Sequence, residues 1–258
     1  MSILEEIIDR KRRRVEAAKR TVQFDALPRR SNPHRFRQAL LRDGINVIAE
    51  FKRRSPSKGL IRADADLNEI VKSYEAGEAA ALSVLTEEDY FSGSLDDLRA
   101  AKSVVDLPVL RKDFIFDEYQ LYESVAAGAD AVLLIVAALG DEKLVALQRL
   151  AAELGLDVLV EVHTREEMQR AVGCGANLIG VNNRNLHTFD VSLDTSLSLA
   201  QDTPKDAVLV SESGLHNGAD LLRLRDAGYR GFLIGESLMR AEDPAAALRA
   251  LTDSTGPP

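Results

Sequence analysis

Eight short runs rich in Val, Ile and Leu recur along the chain, and amphipathic stretches fill the gaps between them. The runs cover residues 46–51, 80–86, 108–112, 131–136, 157–163, 178–182, 207–211 and 232–235. Continuous apolar runs of this length fit strands buried on both faces, as in parallel sheets. The intervening stretches 66–76, 95–105, 118–127, 141–154, 165–172, 218–227 and 244–251 carry apolar residues at helical spacing. In the first of them Leu67, Ile70, Val71 and Tyr74 share one face. Several stretches stop at a glycine, as in Ala127-Gly128-Ala129-Asp130 and Gly173-Cys174-Gly175-Ala176, which fits helix ends that lead into the next strand.

Eight strand–helix units predict an α/β fold, a single (β/α)8 TIM barrel. A doubly wound open sheet is the alternative. The even spacing, without a change of composition between halves, favours closure. Residues 1–45, with helix patterns at 3–19 and 33–41, read as an N-terminal helical extension and not a second domain. Residues 46–252 form the barrel, and 253–258 a tail expected to fray.

Composition narrows the function. The 258 residues carry 33 Lys+Arg against 41 Asp+Glu, a formal net charge of −8. That acidity argues against a nucleic-acid partner. One Cys excludes an internal disulfide framework and a Cys-built zinc site. The four His are scattered without HxxxH spacing, so no metal site is expected. The first twenty residues mix Glu5, Glu6 and Asp9 with a basic cluster that follows the apolar residues, unlike a signal peptide. No apolar stretch approaches the roughly 20 residues that span a bilayer. A cytoplasmic protein without membrane contact is expected.

In such barrels, chemistry gathers where the strands end. The first run closes with Glu50-Phe51-Lys52, and residues two apart on a strand face the same way. The third ends at Lys112, and the fifth holds Glu161 among valines and leucine. A carboxylate in that setting is either paired or carries a raised pKa, because burying a lone charge is costly. A Glu and two Lys converging from three strands can perform acid–base chemistry near neutral pH. The last two runs lead into Ser213-Gly214 and Gly235-Glu236, turns placed where barrels often bind phosphate through backbone N–H groups. A Glu236 carboxylate would repel phosphate, so it would have to point outward while its N–H donates. Each residue also has a plainer reading. Glu50 and Lys52 could be a salt bridge at the barrel mouth, Lys112 a solvated lysine, and the glycines ordinary turn residues. Two other functions fit the same residues, a Schiff-base aldolase and a non-catalytic metabolite-binding barrel.

The motifs 48–59 (IAEFKRRSPSKG), 110–114 (LRKDF), 160–163 (VEVH), 179–186 (IGVNNRNL), 211–214 (SESG) and 234–239 (IGESLM) together resemble indole-3-glycerol phosphate synthase, over nearly the whole chain. The resemblance implies a tryptophan-pathway carboxy-lyase that acts on 1-(2-carboxyphenylamino)-1-deoxyribulose 5-phosphate without metal or organic cofactor, as a monomer. By the same resemblance Lys112 is the general acid for ring closure, and Glu161 stabilises developing positive charge or shares proton transfer. Lys52 pairs with the substrate carboxylate and serves dehydration, and Glu50 removes the ring proton in that step. Asn182 and Arg184 orient the carboxylate and hydroxyls. Glu212 and Ser213 hold polar substrate groups or the lysines. Ser55, Gly214, Gly235 and the backbone of Glu236 contact phosphate. Phe91, Phe114, Leu133, Ile135, Leu186, Leu233 and Pro56 form the aromatic slot, and the loop 53–61 closes over it.

The remaining conspicuous residues read as structural. Arg10–Arg14, Lys19 and Arg20 are expected on a solvated helix face, balanced by nearby acids. Cys174 is expected as a small buried residue at a helix end. His163, His187 and His216 are expected as supporting or loop residues, not catalysts.

Overall fold

The computed structural model describes residues 3–24, 33–186 and 188–253. The expected tail therefore lies outside the described residues from 254 onward, as does His187. Eight parallel strands form the barrel: Asn46–Phe51, Ala81–Leu85, Val109–Lys112, Ala131–Ile135, Asp157–Val162, Leu178–Asn182, Val208–Glu212 and Tyr229–Ile234. Each pairs with its sequence neighbours, and the first pairs with both the second and the eighth, which closes the barrel. The open-sheet alternative is thereby excluded.

The helices are α1 (Ile3–Thr21), α2 (Arg35–Ala39), α3 (Leu67–Ala76), α4 (Leu95–Val104), α5 (Glu118–Ala126), α6 (Asp141–Glu153), α7 (Arg165–Gly173), α8 (Asp194–Leu199), α9 (Gly218–Asp226), α10 (Glu236–Arg240) and α11 (Pro244–Thr252). Side-chain caps fix many of their starts. Asp66, Ser94, Asp117, Thr164, Asn217 and Asp243 each accept a backbone N–H of the first turn. At α5 the cap is reciprocal, because Gln120 accepts in turn from the N–H of Asp117.

Strand alternation divides the apolar side chains into two layers. Outward residues such as Val47, Ala49, Val132 and Leu134 pack under the helices. Inward residues such as Ile48, Leu110, Leu133, Leu159 and Val210 fill the barrel. Phe36 and Leu40, from α2 and its end, join the inner layer with no exposed surface. Burying each stabilises the fold by roughly 2–3 kcal/mol. They stopper the barrel at the strand starts, where the Arg37 N–H donates to Asp157 at 2.9 Å.

The structure departs from the sequence reading in three places. Strand eight begins at Tyr229, three residues before its apolar run, because exposed Arg230 sits in a register shift between Tyr229 and Gly231. The first loop contains a small antiparallel hairpin, Arg54–Ser55 with Gly59–Leu60. α8 and α10 were not anticipated, being too short for a helical period to show.

Candidate active site

A cavity of about 640 Å³ opens at the C-terminal ends of the strands. Every residue assigned above by resemblance lines it: Glu50, Lys52, Ser55, Pro56, Phe91, Lys112, Phe114, Leu133, Ile135, Glu161, Asn182, Arg184, Leu186, Glu212, Ser213, Gly214, Leu233, Gly235 and Glu236. They come from all the strands or from the loops that follow them, and only the barrel brings them together.

Lys112 is the centre of the charged part. Its Nζ lies 3.0 Å from Glu161 Oε2 and 3.2 Å from Glu212 Oε2. Burial disfavours its charge, yet Glu161, Glu212 and Glu50 hold the ammonium above the ordinary lysine range. One cation between two buried carboxylates cannot keep both ionised equally. Burial raises both acids, but Lys112 and His163 pull Glu161 down to about 2. Glu212 is pushed up to about 7, by burial first and then by the charges of Glu161 and Glu50 against the pull of Lys112. Asn182 Nδ2 donates to the other oxygen of Glu161 at 3.3 Å. Just past the end of strand one, Lys52 donates to Glu50, forming a second pair in which the carboxylate is buried and the lysine partly so.

Two glycines make room for these carboxylates. A β-carbon on Gly180 would lie 2.2 Å from Glu212 Oε1, and one on Gly235 would lie 2.5 Å from Glu50 Oε1. Both distances are below van der Waals contact, so the acids rest against bare backbone of strand six and of the turn after strand eight.

The apolar side of the cavity is built by Phe91 and Phe114, whose rings sit 6.1 Å apart, with Leu133, Ile135, Leu186 and Leu233. Glu87 shapes the Phe91 loop by accepting the N–H groups of Asp89, Tyr90 and Phe91 at 2.7–3.1 Å. Opposite lie the turns Ser213-Gly214, with φ of 66° and 77°, and Gly235-Glu236, which starts α10. The Glu236 carboxylate turns to Arg240 at 3.2 Å and Lys58 at 3.6 Å.

A family model described as indole-3-glycerol phosphate synthase matches residues 4–251. The chain belongs to that family. A relative of that name from Koribacter versatilis is 52% identical over 97% of this chain and 98% of its own length. One from Bacteroides thetaiotaomicron is 49% identical over 96% of both chains. Among solved structures, 3-hexulose-6-phosphate synthase from Salmonella typhimurium aligns with a TM-score of 0.65 at 15% identity, over 81% of this chain and 97% of its own. That likeness concerns the fold alone.

The sequence reading missed what α1 contributes to the site of this family member. Ile3, Leu4 and Ile7 line the cavity. The basic cluster of α1 is not a uniformly solvated face, which corrects the expectation for Arg10–Arg14. Lys11 is buried and lies 2.9 Å from Asp113 and 2.7 Å from Glu88. Arg14 pairs with Asp89, and Tyr90 donates to Glu6 at 2.7 Å. The helix thus grips the loop after strand two, which carries Phe91. A signal was present: Ile7, Lys11 and Val15 fall on one buried stripe, and a lysine in a buried stripe implies a buried partner. Cys174 caps the end of α7 and donates to Gln148, as a structural residue would, but it is half-buried where the sequence reading expects burial.

Proposed function

We propose that the chain closes the indole ring of 1-(2-carboxyphenylamino)-1-deoxyribulose 5-phosphate, giving indole-3-glycerol phosphate, CO2 and water. The observation that carries the reading is Lys112 held as an ammonium between Glu161 and Glu212 at the floor of a cavity with one apolar wall. The ring carbon bearing the carboxylate bonds to the ketone carbon, and Lys112 gives its proton to the ketone oxygen as negative charge develops there. Glu161 offsets the positive charge that spreads toward the aniline nitrogen. Loss of CO2 returns the bonding pair to the ring. The hydroxyl then leaves as water, assisted by Lys52, while Glu50 takes the adjacent proton.

Family membership supports the assignment of the other groups. Arg184 and Asn182 orient the carboxylate and hydroxyls, with the Arg fork suited to a carboxylate. Ser213 holds polar substrate groups, and Glu212 holds Lys112. Ser55 with the backbone of Gly214, Gly235 and Glu236 receives the phosphate. The ring enters between Phe91, Phe114, Leu133, Ile135, Leu186 and Leu233, under Pro56. Ser55–Lys58, in the first-loop hairpin, edge the cavity, which supports closure of that loop to exclude water. All assigned residues come from one chain, which supports a catalytic monomer, and the reaction belongs in the cytosol.

The Schiff-base reading loses support from the same geometry. An amine must be neutral to attack a carbonyl, and Lys112 is held charged by two carboxylates. The test is the appearance of indole fluorescence when the purified protein meets the substrate without added metal or cofactor. The chain has no Trp, so the background is low. A rise supports ring closure. Binding without a rise would replace the reading with that of a binding barrel.

A further inference from the structure

His163 follows strand five, two residues past Glu161, and is absent from the cavity lining. Its side chain is 9% exposed. Nδ1 lies 3.1 Å from Glu167 Oε2, and the His163 backbone N–H donates to the same oxygen at 2.7 Å. Nε2 lies 3.4 Å from Glu161 Oε1 and is buried without a hydrogen-bond partner. Glu167 is held in turn at the start of α7, where its N–H donates to Thr164 Oγ1 at 3.2 Å.

A carboxylate therefore faces each ring nitrogen. A neutral imidazole carries one ring proton, so one lone pair would point at a carboxylate. Only the imidazolium turns no lone pair to either, bonding Glu167 at Nδ1 and meeting Glu161 at Nε2 as an ion pair without a hydrogen bond. The charges around it come from three elements: Glu161 on the adjoining strand, Glu167 on α7 and Glu212 on strand seven. Lys112, from strand three, reaches Glu161 through that carboxylate's other oxygen. Burial opposes the imidazolium, but Glu167, Glu161 and Glu212 outweigh it and hold the ring above the ordinary histidine range.

We infer that His163 is a positioning residue that stays protonated at neutral pH and, gripped by Glu167, keeps Glu161 a carboxylate turned toward Asn182 and Lys112. Glu161 then lies between two cations, so Glu212 is the acid of the pair that takes up a proton first as pH falls. This inference rests on the reading of Glu161 as a carboxylate that acts on the substrate.

The first test needs no substrate. Nitrogen–proton NMR of the histidine rings, assigned with H163Q, should show both His163 nitrogens protonated at pH 7.5. A neutral tautomer there overturns the inference, whatever the enzyme's reaction proves to be. The second test is kinetic. Gln can place a neutral amide near the Nε2 position. H163Q should lower kcat about 10- to 100-fold while KM changes less than about threefold, as expected for a group that acts through a positioned acid–base residue. The Glu161 carboxylate, followed by carbon NMR, should titrate about one pH unit higher in H163Q, because it loses a neighbouring positive charge. E167Q, which leaves the imidazole in place, should lower the pH at which the His163 ring loses its charge, because one of its carboxylate partners is gone. If H163Q does not fold, E167Q and the wild-type ring spectrum decide. A wild-type kcat and an unmoved Glu161 titration in folded H163Q, or an unmoved ring titration in E167Q, would reduce His163 to a packing residue. If wild-type protein makes no indole product, the proposed reaction falls while the ring spectrum still judges the imidazolium.

Discussion

Gly180 on strand six faces Glu212 on strand seven so closely that a β-carbon would sit 2.2 Å from the carboxylate. Glu212 in turn reaches Lys112 at 3.2 Å, so the absence of a side chain at residue 180 sets where the ammonium is held. Gly180→Ala should displace Glu212 and, through it, Lys112. A shift near 1 Å in catalytic geometry costs about 100-fold in rate, and a drop of that order in kcat is expected. Steady-state kinetics alongside a melting curve check it. A folded variant with wild-type kcat would show that Glu212 can relocate without consequence.

Removing the ammonium itself should cost more. Lys112→Ala should reduce kcat by about two to four orders of magnitude, the range for a positioned proton donor. The turns proposed to receive phosphate follow strands seven and eight, away from Lys112, so affinity for inorganic phosphate should stay within a few-fold of wild type. Single-turnover kinetics and phosphate competition measure the two separately. Near-normal turnover would remove Lys112 from the mechanism, and lost phosphate binding would show that the variant disrupts the whole mouth.

Glu161→Gln keeps the shape of the side chain and its contact with Asn182 but removes the charge. A fall in kcat of about 10²- to 10⁴-fold is expected. The comparison is made at matched pH on protein of confirmed fold. An unchanged rate would make Glu161 a structural partner of Lys112 and nothing more.

The barrel and the charged residues at its mouth were legible because both are written locally, whereas the aromatic slot, Asn182 and Arg184 came only from the family resemblance. A buried parallel strand shows as an apolar run, and period-two alternation places Glu50 with Lys52. The carboxylate in strand five stands out against Val158, Leu159, Val160 and Val162. What stayed hidden depends on contacts far apart in sequence. Nothing near Lys11 announces Asp113, 102 positions on. The two nitrogens of His163 acquire meaning only once α7 folds back to set Glu167 beside it. Gly180 reads as an ordinary strand glycine until strand seven brings Glu212 against it. The short α8 and α10 escaped because five or six residues do not complete two helical turns.

The raised pKa of Glu212, at about 7 against an ordinary 4.5, has a consequence for stability. The folded state binds the proton more tightly than the unfolded chain. The stability this provides is full below about pH 4.5 and is lost as pH rises through about 7. Glu212→Gln mimics the protonated acid at every pH. Relative to wild type, the variant should therefore gain stability between pH 5 and pH 8, by roughly 2–3 kcal/mol. Urea unfolding at the two pH values gives the comparison. A difference independent of pH, or one that shrinks as pH rises, would contradict a proton shared at Glu212.

Lys11 offers a test of how α1 belongs to the site. Its ammonium is buried between Asp113 and Glu88, and Asp113 is also held by Arg111 at 3.0 Å and Thr86 at 2.6 Å. Lys11→Met keeps the apolar stem but removes the charge. Breaking a buried pair while leaving its partner in place costs roughly 3 kcal/mol, and the remaining Arg111 contact keeps Asp113 ionised. The loss should fall on α1 and on the loop that carries Phe91, since Lys11 joins the two. Ile3, Leu4 and Ile7 would then cover the cavity less firmly. KM should rise about 5- to 20-fold, which by the binding relation is roughly 1–2 kcal/mol of lost substrate contact. The value of kcat should fall less than threefold, because Lys112, Glu161 and Glu212 keep their places. Amide exchange should quicken in residues 3–21 and 87–91 before it changes in the strands. A variant with wild-type KM and unaltered exchange in α1 would show that the apolar contacts of Ile7 and Val15 dock the helix without help from Lys11.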